Sequence, residues 1–319
     1  MSAVRRHGAG SWAAVPTVAL VLCAAGMVGT AGAQDTAQTA VRERVARNIY
    51  ITATDDKGGA AHDLAPAEVT VKEDGQSREV LKVAPAEAMM QLTLLVDDSG
   101  PGIQYVREAV VDFLRVLQRR AEVAIVSTAG QNSVVVDFTQ DPGALLSGVN
   151  RLMTRTTSGG YLLEAIQEAA RTLQRREAAR PVIVVLALEG KEYSSVSSAH
   201  VLDAVRRSGA VVHVVAVGKP SMKTMTSWNQ RPTDSIHEAL DETLARNTVL
   251  AEAPRRSGGR LEQVGQASGI AKRMTEIAYE LRDQLLVTYS RPPDSKPVER
   301  LEVSVKRRGI KLRAPKHTY

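Results

Sequence analysis

Leu92-Thr93-Leu94-Leu95-Val96, followed by Asp97-Asp98-Ser99-Gly100-Pro101, is the stretch whose reading decides the fold. A strand with one wet face alternates polar and apolar residues, whereas an apolar run of this kind describes a strand covered on both faces. Two carboxylates, a hydroxyl, a glycine and a proline then break the run. An amphipathic helix is predicted from Ile103 to about Arg120, with Val106, Val110, Phe113, Leu114 and Leu117 on one face.

The same rhythm continues downstream. Val123-Ala124-Ile125-Val126 and Val134-Val135-Val136 read as strands, Ala144 to Met153 and Tyr161 to Arg175 as helices, Val182 to Leu186 as a strand, Ala199 to Arg207 as a helix and Val211 to Val217 as a strand. Apolar strands alternating with helices predict an α/β fold with a doubly wound, mainly parallel, Rossmann-like sheet over residues 89–284. Pro220 to Arg256 interrupts the pattern and is expected to be an irregular insertion, with one possible helix at Ile236 to Asn247.

Upstream, residues 47–88 change to period-2 segments, Asn48 to Ala53 and Glu68 to Lys72, broken by Gly-bearing turns. Residues 285–319 return to that pattern at Leu285 to Tyr289, Leu301 to Val305 and Ile310 to Arg313. Both sets would leave half-buried faces and open edges unmatched, so the C-terminal strands are expected to pair with the N-terminal ones as a small antiparallel β module.

The chain of 319 residues begins with an export pattern. Arg5 and Arg6 precede an uncharged run from Trp12 to Val28, and Ala31-Gly32-Ala33 offers the small residues a signal peptidase needs. Residues 1–33 are therefore expected to be a signal peptide, residues 34–46 a leader, and the protein secreted, periplasmic or at the cell surface, without a membrane span after cleavage. Cys23 is the single cysteine and lies inside the signal, so disulfides, cysteine nucleophiles and cysteine zinc sites are excluded from the mature chain. Without Arg5 and Arg6, 39 basic residues face 35 acidic ones, and aromatics are 3%. That balance supplies neither the electrostatic footprint nor the stacking surface of a nucleic-acid binder.

Catalytic signatures are missing. The chain has no phosphate-binding P-loop, no G-x-G-x-x-G after a strand and no G-x-S-x-G elbow. His237-Glu238 opens like a zinc-protease helix, but Asp241 stands where the second histidine belongs, and a solvated helix face is the simpler reading. A Ser99, His213, Asp203 triad can be written down, yet His213 sits in an apolar strand and reads as a core histidine. What remains is oxygen chemistry at strand ends, where doubly wound sheets bind ligands. Asp97, Asp98 and Ser99 end the first strand, Glu189 follows Leu186-Ala187-Leu188 at another, and Ser158-Gly159-Gly160-Tyr161 forms a third loop on the same edge. Such oxygens suit a hard divalent cation.

On these residues the chain resembles the von Willebrand factor A domain, and in particular exported bacterial proteins in which a β module wraps that domain. Asp55-Lys57-Gly58, Val71-Glu73-Asp74-Gly75 and Ala278-Glu280-Leu281-Arg282 before Leu286-Val287-Thr288-Tyr289 carry the likeness to the flanking module. The resemblance implies protein binding through a metal-ion-dependent adhesion site of the form D-x-S-x-S, a threonine in a Gly-Gly-Thr loop and an aspartate in a T-D-G turn. Here Asp97, Ser99 and Gly100 match it, while Pro101 replaces the second serine, Tyr161 the threonine and Glu189 the aspartate. Mg²⁺ demands near-ideal octahedral oxygens, so loss of two hydroxyls predicts a degenerate site; Mg²⁺, Mn²⁺ or Ca²⁺ is the cofactor the pattern leaves open. Asp97, Ser99 and Glu189, with Asp98, are the candidate metal residues. Tyr161, Asp98, Tyr193 and Trp228, together with the Arg255-Arg256 pair, are candidate contacts for an unidentified protein or envelope component. Two alternatives stand beside this non-enzymatic reading: a hydrolase that activates water with Asp97, Asp98 and Glu189, and a structural envelope component.

Overall fold

The computed structural model describes residues 45–98, 102–153, 159–188, 190–218, 234–293 and 298–317. Its centre is a six-stranded sheet made of β5 (Met90–Val96), β6 (Ala121–Ser127), β7 (Ser133–Thr139), β9 (Pro181–Ala187), β11 (Val211–Val217) and β12 (Leu261–Val264). The strands run in the order β12-β11-β9-β5-β6-β7, all parallel except β7, which returns antiparallel to β6. In register, Leu94 lies between Ile125 and Val184.

Helices cover both faces. Leu92, Leu94 and Val96 join α1 (Ile103–Leu117), α2 (Pro142–Arg151) and α6 (Ile270–Arg282) in one core. On the other face Leu95, Ile183, Val185, Val212 and Val214 pack on α3 (Leu162–Arg175), α4 (Ser198–Ser208) and α5 (Asp234–Ser257). Two covered faces are why β9 is buried at every position, as its uninterrupted apolar sequence requires. The doubly wound α/β reading is correct.

The strands outside this unit form two antiparallel sheets. β1 (Val45–Thr54), β4 (Val80–Pro85), β13 (Leu285–Arg291) and β15 (Lys311–Arg313) take the order β15-β1-β13-β4; β2 (Val69–Glu73), β3 (Gln76–Arg78) and β14 (Leu301–Val305) take the order β14-β2-β3. Ile49, Ile51, Val71, Val287 and Tyr289 are at most 4% exposed and form their common core. Inside it the buried Glu73 accepts the Tyr289 hydroxyl at 2.8 Å and pairs with Arg78.

Two buried charges join the β module to the α/β unit. Arg180, beside the start of β9, donates to the carbonyls of Ala86 and Leu281 and to Gln284 Oε1, and burial lowers its pKa to about 10. Glu280 on α6 accepts the Thr52 hydroxyl of β1 and pairs with Arg313 of β15 and with Arg260. Burial pushes the Glu280 carboxyl up, but His213, Arg313 and Arg260 more than offset that and hold it below its ordinary value.

One expectation needs correction. The segment 220–256 is not irregular throughout, because α5 runs from Asp234 to Ser257 and includes Pro254 in its last turn. Val249, Leu250 and Ala253 form the apolar stripe that docks it on the second core, a stripe too short to stand out among its polar neighbours. Trp228 lies outside the described residues. Among the described residues no helix is long and apolar enough to cross a membrane.

Candidate functional site

The C-terminal ends of β5, β6 and β9 meet at one edge of the sheet, and the buried carboxylates of Asp97 and Asp98 tie them together. Asp97, 8% exposed, donates its N–H to Leu186 O at 2.9 Å and accepts the Leu188 N–H on Oδ2 at 3.1 Å, which holds β5 to the loop after β9. Asp98, 1% exposed, accepts the Ser127 hydroxyl on Oδ1 at 2.6 Å, which holds the same turn to the end of β6. A short charge-assisted bond in a dry site stabilises by about 1.5–3 kcal/mol.

The third loop is stitched between the other two. Gly159 and Gly160 form the two-residue strand β8, parallel to β10 (Lys191–Glu192). On its other side Gly130 donates to Gly159 O at 3.0 Å and Tyr161 to Thr128 O at 3.4 Å. The fit requires glycine: a Cβ on Gly159 would stand 2.3 Å from Lys191 O, and one on Gly160 would stand 2.3 Å from Thr128 O.

Tyr161 follows as the N-cap of α3 without a capping side-chain bond, and its ring centroid is 6.2 Å from that of Tyr193, tilted by 52°. Tyr193 is 38% exposed. Next to Tyr193 in the chain is Glu192, 3% exposed, whose Oε1 accepts the Leu163 N–H at 3.4 Å and the Ser194 N–H at 3.3 Å. Burial raises its pKa, and the Ser194 and Leu163 bonds and the Arg246 charge counter part of that rise. Arg246 on α5 stands 3.8 Å from Glu192 and donates to Leu188 O at 2.6 Å. The Leu188 residue is therefore held at its N–H by Asp97 and at its carbonyl by Arg246.

Several sequence expectations can now be placed. The structure brings Asp97, Asp98, Tyr161 and Tyr193 to one edge, whereas Ser99, Pro101, Ser158 and Glu189 lie outside the described residues. Arg255 and Arg256 do not belong to this edge. They sit at the far end of α5, both paired with Glu252, where Gly259 packs on the Val212 carbonyl at the beginning of β11. The Ser99, His213, Asp203 triad is not assembled either, because Asp203 pairs with Arg206 and Arg207 on α4, while His213 is fully buried on the sheet face that carries α6. The side chains of His237, Glu238 and Asp241 lie outside the described residues. Ser127, Glu192 and Arg246 were not singled out in the sequence, because each acts across about 29 to 58 residues and carries no local spacing signal. Among the described residues no group of three or more His, Cys, Asp or Glu is placed to hold a metal ion.

In a doubly wound sheet of this kind, ligands bind at the carboxyl ends of the strands, where these loops lie. Residues 91–248 match the von Willebrand factor type A domain family, and the chain carries a VWA domain over that stretch. VWA domains mediate protein interactions and are generally not enzymes. None of the curated proteins matches the chain. Solved structures similar to it include proximal thread matrix protein 1 from the mussel byssus, at 9% identity and a TM-score of 0.44, covering 62% of this chain and 50% of that one. A von Willebrand factor type A structure from Catenulispora acidiphila matches at 12% identity and a TM-score of 0.45, covering 83% and 71%. BatB from Bacteroides thetaiotaomicron matches at 15% identity and a TM-score of 0.39, covering 61% and 99%. The chain thus spans about half the length of the mussel protein.

Proposed function

We propose that this protein is exported to the periplasm or cell surface and binds another protein through the strand-end face of its VWA domain, with little or no dependence on a metal ion. The observation that carries the reading is the cross-tying of the segments at residues 97–98, 127–130, 159–161, Leu188 and 191–194 into one surface bearing the Tyr161 and Tyr193 rings. A pre-ordered surface loses little entropy on docking, and tyrosines at its centre supply large contact area with few rotors to freeze.

The donor set suits an octahedral Mg²⁺ poorly. Asp97 Oδ2 and Asp98 Oδ1 are engaged in holding loops, Pro101 brings no oxygen, and Tyr161 offers a phenol where a short hydroxyl is needed. The same engagement counts against a hydrolase, since a water-activating carboxylate must face its water.

The test is recovery of partners from envelope extracts by the wild type and by a Tyr161→Ala, Glu189→Ala double variant, each with and without EDTA. The reading expects the double variant to lose partners that the wild type retains in EDTA. Equal recovery by both proteins would reject this face, and loss of partners in EDTA would reject metal independence.

A further inference from the structure

A second surface lies at the opposite end of the sheet, between the end of α1 and the start of α2. It is a groove of about 200 Å³ whose apolar lining includes Val111, Leu114, Leu145 and the half-exposed Leu146. Its polar lining is two arginines and two glutamines, Arg115, Arg119, Gln118 and Gln140, with no carboxylate.

Arg119 is placed there at a cost. Its backbone is left-handed, φ +64°, a state glycine adopts freely and other residues resist. Gly209 makes the corresponding turn after α4 at φ +65°. Of the three non-glycine residues held in this conformation among the described residues, Asp74, Arg119 and Glu177, Arg119 lines the groove. It makes no ion pair among the described residues, and the other rim cation, Arg115, has only the exposed Asp112 as partner. An unneutralised cation above an apolar slot is complementary to a carboxylate beside a bulky apolar side chain.

We propose that this groove docks an acidic, amphipathic segment of a partner protein, seating one large apolar side chain against Leu114 and Leu146 and a carboxylate on Arg119. The surface is separate from the strand-end face, so the proposal does not depend on the function proposed above.

The probe is a fluorescein-labelled peptide of sequence Asp-Glu-Phe-Leu-Glu-Asp, with Lys-Lys-Phe-Leu-Lys-Lys as its charge-reversed control, followed by anisotropy at low salt. The acidic peptide is expected to bind saturably and the basic one not. Arg119→Gly should weaken binding about fivefold while leaving the melting temperature unchanged or higher, because the backbone is relieved as the charge is lost. Leu146→Asp, at an exposed position, should weaken binding further, and Tyr193→Ala on the opposite face should leave it unchanged. No saturable binding of the acidic peptide at millimolar concentration, equal binding of the basic peptide, or undiminished binding by Arg119→Gly would each overturn the proposal.

Discussion

Replacing His213 by leucine should remove most of one acid-dependent component of stability. The imidazole is fully buried in β11, and neither ring nitrogen has a hydrogen-bond partner among the described residues. Burial lowers its pKa to about 4; Glu280 opposes that shift, and Arg313 and Arg260 add to it. In the unfolded chain the ordinary value is about 6.5. The unfolded state therefore takes up a proton before the folded state does, and stability is present above about pH 6.5 and lost as the pH falls toward 4. The two values give a loss of about 2 kcal/mol by pH 5 and about 3 kcal/mol by pH 4 from this group alone. His213→Leu keeps the volume roughly constant beneath α6 and exchanges two unpaired nitrogens for methyl groups. The variant should be at least as stable as the wild type at pH 7 and more stable by about a further 2 kcal/mol at pH 5. Urea unfolding of both proteins at pH 7, 6 and 5 measures this, since the carboxylates common to both, apart from Glu280 which interacts with the imidazole, cancel in the difference. Parallel curves of stability against pH would refute the reasoning, and so would a loss of more than about 2 kcal/mol at pH 7, which would mean that the imidazole makes bonds leucine cannot replace.

Arg180→Met should cost about 3 kcal/mol or more in urea unfolding, because it strands the Ala86 and Leu281 carbonyls and the Gln284 amide oxygen in a buried joint. Gly160→Ala should lower the melting temperature by several degrees and alter the near-ultraviolet circular dichroism of the tyrosines, since its Cβ would press on the Thr128 carbonyl beside the Tyr161–Tyr193 pair. Ser127→Ala should destabilise by about 1.5–3 kcal/mol by removing the donor to buried Asp98, and a wild-type melting curve would show that bond to be dispensable. Calorimetric titration with Mg²⁺, Mn²⁺ and Ca²⁺ should give no binding at millimolar ion, whereas a Pro101→Ser, Tyr161→Thr variant that restores two hydroxyls should bind measurably; binding by the wild type would contradict the proposed metal independence.

The central sheet is legible because burial on two faces leaves a local mark: β9 is apolar throughout, β5 and β11 are apolar apart from Gln91, Thr93 and His213, and the helices between them carry clear stripes. β8 and β10 left no such mark, since two residues of glycine or of Lys-Glu show no period. The sequence reading of α5, Ile236 to Asn247, stops short of Ser257 because its last turns hold only the brief apolar stripe Val249, Leu250 and Ala253 and then Pro254, which gives up its i→i−4 bond; packing on β11 holds the helix there nonetheless. At the strand-end face, Asp97, Asp98 and Tyr161 could be found by their position after a strand or before a helix. Glu192 and Arg246 could not, because their role exists only once the loop after β9, α3 and α5 have been brought together.

The proposed strand-end docking face is tested most directly by photocrosslinking in envelope extracts, with benzoylphenylalanine placed at Tyr193 and, as a control, at exposed Lys311 of β15. The account predicts partner adducts from position 193 that persist in EDTA and none of the same mass from position 311. Adducts from position 311 alone, or adducts at 193 that vanish in EDTA, would contradict it.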